Sequence, residues 1–195
     1  MHASAQYCDA GHNGRSFEMS LIKIVSGGQT GVDRGALDAA LAAGFPCGGW
    51  CPGDRAAEDG PIPERYPMSS LPVLCHMDVG TARPVGGQYR QRTFKNVQDS
   101  EGTAILFSQK LSGGTKLTRD LCIREKKPFV VLDATQISES AAAAAIVRFV
   151  EENEIQVLNV AGPRANGWPE GYAFALGVVG GVIGRCQVPL RSPPP

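Results

Sequence analysis

Apolar positions in this chain fall into short runs of five to seven residues, separated by longer stretches in which they recur every three or four positions. Leu21–Ser26 (LIKIVS) reads as a buried strand. In Val32–Ala43 the residues Val32, Ala36, Leu37, Ala40 and Leu41 share one helical face, with Asp33, Arg34 and Asp38 off it, and Gly44 suits the C-terminal stop. The next stretch, residues 45–70, is so rich in Pro and Gly that it reads as one long ordered loop. PVLCHM is a short strand candidate, followed by a loop over 77–90 and helical character over Arg90–Asp99. Thr103–Ser108 (TAILFS), PFVVLD and IQVLNVAG read as strands; Thr115–Lys126 and Ser140–Asn153 read as helices between them. A last helix, YAFALGVVGGVIG, follows a PRANGWPEG loop.

Strands alternating with helices predict right-handed crossovers and a mainly parallel sheet with helices on both faces. The expected fold class is α/β, a single Rossmann-like domain over residues 21–188. Residues 1–20 have no apolar run or basic start and read as a disordered extension rather than a signal peptide; 189–195 form a Pro-rich tail. Gly177, Gly180, Gly181 and Gly184 form small-xxx-small pairs in the last helix. Each glycine there costs about 0.5–1 kcal/mol relative to alanine, so a buried face is expected, inside the protomer or between subunits.

Composition narrows the function classes. The 195 residues carry 19 Lys plus Arg against 19 Asp plus Glu, so no global field recruits nucleic acid or an anionic membrane, and any anion site must be local. No apolar run is long enough to span a bilayer. The six cysteines are scattered and read as reduced thiols of a cytoplasmic protein. Cys47, Cys51 and His76 have poor zinc spacing.

Ligands of such a sheet bind beyond the strand carboxyl ends. Three turns fall there: Ser26-Gly27-Gly28-Gln29-Thr30-Gly31, Ser112-Gly113-Gly114-Thr115-Lys116 and Ala161-Gly162-Pro163-Arg164. Each is either a plain turn or a phosphate cradle, in which bare amides and the dipole of the following helix hold an anion. Neither glycine pair fits a Walker or dinucleotide fingerprint. Lys116, Arg119 and Arg164 supply local cations. Asp54, Arg55, Glu58, Asp59 and Glu64 crowd the long loop, and its carboxylates suit a donor-rich heterocycle better than a phosphate. Asp33 suits the helix dipole. Only His76 lies in the body of the chain, which argues against a Ser-His-Asp triad, and no catalytic set or metal-ligand set emerges.

The motifs SGGQTGVDRGALDAALAAG, CPGDRAAEDGPIPERYP, RTFKNVQDSEGTAIL, SGGTKLT and LNVAGPR, in that order over residues 21–184, resemble the molybdenum cofactor carrier family. That family branches from the Rossmann-like superfamily of the cytokinin-activating phosphoribohydrolases, the lysine decarboxylase-like proteins. The resemblance implies a homo-oligomeric carrier rather than an enzyme. Its ligand would be molybdenum cofactor (molybdopterin), a small phosphorylated heterocycle destined for molybdoenzyme recipients. The implied cofactor-binding positions are Gly27, Gly28, Gln29, Thr30, Gly31, Asn96, Ser112, Gly113, Gly114, Thr115, Lys116 and Arg164. The sibling enzymes carry a catalytic glutamate where this chain has Thr118, with Glu58 or Asp99 as the possible substitutes. The alternatives are a hydrolase of the nucleoside monophosphate N-glycosidase type and a module that senses a nucleotide monophosphate.

Overall fold

The computed structural model describes residues 21–72 and 87–187. The readings made for 1–20, for 189–195, and for PVLCHM beyond Pro72 lie outside the described residues. The chain runs β1 (Lys23–Val25), α1 (Val32–Ala42), β2 (Cys47–Cys51), β3 (Ala56–Ala57), β4 (Gly60–Pro61), β5 (Met68–Ser70), α2 (Gly87–Gln98), β6 (Gly102–Phe107), α3 (Gly113–Arg124), β7 (Phe129–Asp133), α4 (Glu139–Glu152), β8 (Val157–Ala161) and α5 (Gly171–Gln187). Six strands form one sheet in the order β5-β2-β1-β8-β6-β7, every pair parallel, and β3 and β4 form a small antiparallel ribbon.

Handedness explains the layers. A right-handed crossover that steps one way along a sheet puts its helix on one face, and a step the other way puts it on the opposite face. The connections through α1 and α4 step towards β5; those through α2 and α3 step towards β7. Accordingly α1, α4 and α5 share the main core, with Ile24, Val32, Ala36, Ile146, Val179 and Ile183 fully buried. Helices α2 and α3 pack together over Val97, Leu121 and Cys122. This is the expected single α/β Rossmann-like domain.

Three expectations need correction. Residues 45–70 are not one loop, because CGGWC is strand β2 between β1 and β5. Its glycines are there for crowding: a Cβ on Gly49, at a φ of 130°, would lie 2.0 Å from the Ser26 carbonyl oxygen, and one on Gly48 2.8 Å from that of Pro67. Asp33 is buried rather than on the polar face of α1. Within the protomer the glycines of α5 do not form one buried face either; its buried residues include Val178, Val179, Val182 and Ile183. Gly177 and Gly181 let α4 approach at Glu139 and Ala143, while among the described residues a Cβ on Gly180 or Gly184 would meet nothing within 4 Å.

A further cluster joins Leu37, Cys51, Ile62 and Tyr66, and Asp38 Oδ2 ties it to α5, accepting from the Tyr66 hydroxyl at 3.0 Å and the Tyr172 hydroxyl at 2.9 Å. Burial, and then the hydrogen bond to Asp38, push the Tyr66 phenol up to about 12 from near 10. An unfolded tyrosine ionises first, so alkali pulls the equilibrium towards the unfolded chain as pH climbs from 10 towards 12. Urea midpoints measured at about pH 9 and about pH 11.5 should therefore differ widely in the parent and less in Tyr66→Phe.

Candidate functional site

The chain's direction reverses around β8: β1 leads to α1 on one face, and β6 leads to α3 on the other. Loops at such a switch point diverge and leave a crevice. A cleft of about 750 Å³ opens here, bounded by the turns after β1, β6 and β8 and by one side of α2. That volume suits a ligand of mononucleotide size.

The turn after β1 is closed by its own neighbours. Asp33 Oδ2 accepts from the Gln29 amide at 3.3 Å and from Arg92 Nη1 at 3.1 Å. The Val32 amide donates to the Pro163 carbonyl, and the Arg34 and Gly35 amides donate to Gln29 and Gly31. The Arg92 guanidinium lies so tightly on Gly27 that any side chain there would overlap it. Burial pushes the Asp33 carboxyl up, opposed by the adjacent Arg92 charge and the Gln29 amide. This end of α1 thus already holds a carboxyl group of its own.

The turn after β6 is different. Ser112 precedes α3 without capping it through its side chain. Gly113, at a φ of 52°, turns the chain, and a Cβ on Gly113 or Gly114 would meet nothing within 4 Å among the described residues. Among the described residues the amides of Gly113, Gly114 and Thr115 donate no hydrogen bond, and the first amide engaged is that of Lys116, to the Ser112 carbonyl. Lys110 and Arg164 also line the cleft. Arg164 stacks over the Tyr89 ring at 4.8 Å, joining the turn after β8 to α2.

Of the positions expected from sequence, Gly27, Gln29, Asn96, Ser112, Gly113, Gly114, Thr115 and Arg164 line the cleft. Gly28, Thr30, Gly31 and Lys116 do not. Gly28 faces Ile62 and Met68, and Gly31 faces the backbone of 163–165. The Thr30 hydroxyl donates to Glu58 Oε1 and accepts from the Ala165 amide at 3.2 Å. Lys116 points to solvent from the exposed side of α3. Asn96 is lined up with the cleft but engaged elsewhere: its Oδ1 accepts from the Trp50 amide at 2.7 Å and its Nδ2 donates to the Trp50 carbonyl at 3.1 Å, as a neighbouring strand would.

Sequence reasoning missed Tyr89, Arg92 and Thr93 on α2, and Lys110 and Asn159 at the strand ends. A signal existed for the first group, because Tyr89, Arg92, Thr93 and Asn96 fall on one helical stripe that is polar where a packing face would be apolar. Of the long loop's carboxylates, Glu58 alone lines the cleft. Asp59 is held by Arg34 at 2.6 and 2.8 Å, and Asp54 accepts from the Ala56 amide.

An α/β domain with a polar, glycine-edged cleft at its switch point belongs to the Rossmann-like class of folds. More closely, residues 24–182 match the circularly permutated YpsA SLOG family, and the chain belongs to that family. It is also similar to a crystal structure of a "Putative molybdenum carrier protein" from Syntrophus aciditrophicus SB, with 40% identity. That likeness covers 84% of this chain and 96% of the other, at a TM-score of 0.75. No curated protein matches the chain. Both findings agree with the family resemblance drawn from the five motifs.

Proposed function

We propose that this protein binds and carries molybdenum cofactor. Its terminal phosphate rests on the Gly113, Gly114 and Thr115 amides, with Ser112, Lys110 and Arg164 around it. The observation that carries this reading is the asymmetry between two helix starts. The α1 start is filled by Asp33 and Arg92, whereas the α3 start faces the cleft with its first amides unengaged. Such amides and the helix dipole favour an anion. The relative described as a molybdenum carrier supports the choice of cargo. The cofactor's own dithiolene sulfurs hold its metal, so what the protein must supply is a phosphate cradle and partners for the pterin. The receiving proteins in this reading are molybdoenzymes, and the binding domain spans residues 21–188.

The protein should be purified from a host that makes the cofactor. Acidic iodine oxidation should then release a fluorescent pterin, with molybdenum present in comparable amount. Finding neither would overturn the proposal.

A second reading, cleavage of a nucleoside monophosphate, is favoured by one observation, the Glu58 carboxylate in the cleft wall. Asp99, the other carboxylate considered for that role, accepts from Trp50 Nε1 at 2.7 Å and is not part of the wall. Free base released from AMP by the parent but not by Glu58→Gln would favour this reading over a carrier.

A further inference from the structure

Strand β8 carries a single polar side chain, Asn159, and places it in the floor of the cleft. Leu158 and Val160 belong to the main core on one face of the sheet. Strand alternation therefore turns Asn159 to the other face, towards α2, α3 and the cleft. The residue is 2% exposed. Its Nδ2 donates at 3.3 Å to the hydroxyl of Thr103, its register partner on β6. Among the described residues nothing donates to its Oδ1, yet Oδ1 is not sealed from solvent as Gln29 Oε1 and Arg92 Nε are. With the main core behind it and Thr103 beside it, the open side of this amide is the cleft. Asparagine is a poor strand residue, and an unused acceptor in the middle of a sheet costs stability, so its presence calls for a partner that comes and goes.

Depth says which part of a ligand that partner is. The buried stripe of α3 runs Thr115, Thr118, Leu121, Cys122, and the Cys122 thiol lies beside Thr103. Seven residues of helix separate Cys122 from Thr115, so the first amides of α3 stand about 10 Å above the level of Asn159. A mononucleotide or a phosphorylated pterin covers such a span from its phosphate to its ring. Ala161, next on the same face of β8, is small and lines the cleft, which leaves room for a flat ring over the amide. We infer that Asn159 is the residue that reads the ring end of the cargo, its Oδ1 accepting from an exocyclic amine or ring N–H of the heterocycle. This rests on the reading that the phosphate sits at the start of α3.

Calorimetric titration of the full chain with neopterin monophosphate, AMP, ribose 5-phosphate and inorganic phosphate tests it. In the parent the tighter of the two ring-bearing probes should exceed ribose 5-phosphate by about tenfold or more, and it identifies the source of the ring. Asn159→Leu should weaken that probe about tenfold or more, while inorganic phosphate and ribose 5-phosphate bind within about twofold of the parent. Asn159→Ala takes the place of Asn159→Leu if the latter does not fold. Asn159→Asp keeps an acceptor oxygen and should hold the ring-bearing probe no worse than about threefold below the parent. A merely structural asparagine would lower all four probes together or none of them, and either result overturns the inference. So does an Asn159→Asp protein that loses as much as the apolar variant, because the amide would then be donating. A parent that binds the ring-bearing probes no tighter than ribose 5-phosphate overturns it too and leaves the phosphate cradle standing. If no probe binds the parent, both readings fall together.

Discussion

A Gly114→Asp protein should melt no lower than its parent and should bind phosphorylated ligands about a hundredfold more weakly, a loss of about 2.7 kcal/mol. A Cβ at this position meets nothing within 4 Å among the described residues, so none of them has to move. Replacing glycine by aspartate gains about 0.3 kcal/mol of helix propensity, and an acid in the first turn gains about 0.3–1 kcal/mol from the dipole. The new carboxylate then competes for the Gly113–Thr115 amides, as Asp33 does at the start of α1. Gly114→Ala is the control, with the same backbone and no anion. Differential scanning fluorimetry together with titration of neopterin monophosphate separates the two effects. A Gly114→Asp protein that keeps full affinity would remove α3 from the binding site.

Gly31→Ala should behave in the opposite way, with stability lost first and binding lost as a result. Gly31 has a φ of 75° and a ψ of −131°, a combination that only glycine adopts readily. Its Cβ would approach the Pro163 carbonyl oxygen to 2.6 Å and the Ala165 amide nitrogen to 2.8 Å. Both are backbone atoms in the turn that carries Arg164, so relief requires pushing two strand-end turns apart. We expect a destabilisation of about 3 kcal/mol or more, a fall in melting temperature of roughly 6–12 °C for a domain of this size. Ligand affinity should fall with it. Guanidinium denaturation measures the first quantity. A loss under about 1 kcal/mol would show that the turns yield.

These two glycines looked alike in the sequence, and the reason is physical. A glycine pair before a helix announces a tight turn but not what fills it. Here Arg92 and Asp33, 59 positions apart, close the first turn, and no local pattern encodes that meeting. The periodic segments were easier: α1, α3 and β6 to β8 follow from apolar spacing because their packing faces are continuous. Strand β2 was hidden because Gly48 and Gly49 answer to a neighbouring backbone rather than to their own propensity. Asn96 was expected to bind the cofactor, and it lines the cleft, yet its amide serves Trp50. The α2 stripe lay open to detection, since its polarity conflicts with burial against a sheet.

The place of β8 has a bearing on how the molecule is made. Strand β8, last in chain order among the described strands, lies between β1 and β6, so the halves on either side of it have no common seam until β8 has been made. On a ribosome, the emerging chain must carry two unsatisfied sheet margins until β8 emerges, a state open to mispairing with other nascent chains. A stop codon placed before Val157 should accordingly yield insoluble polypeptide rather than a smaller, folded core.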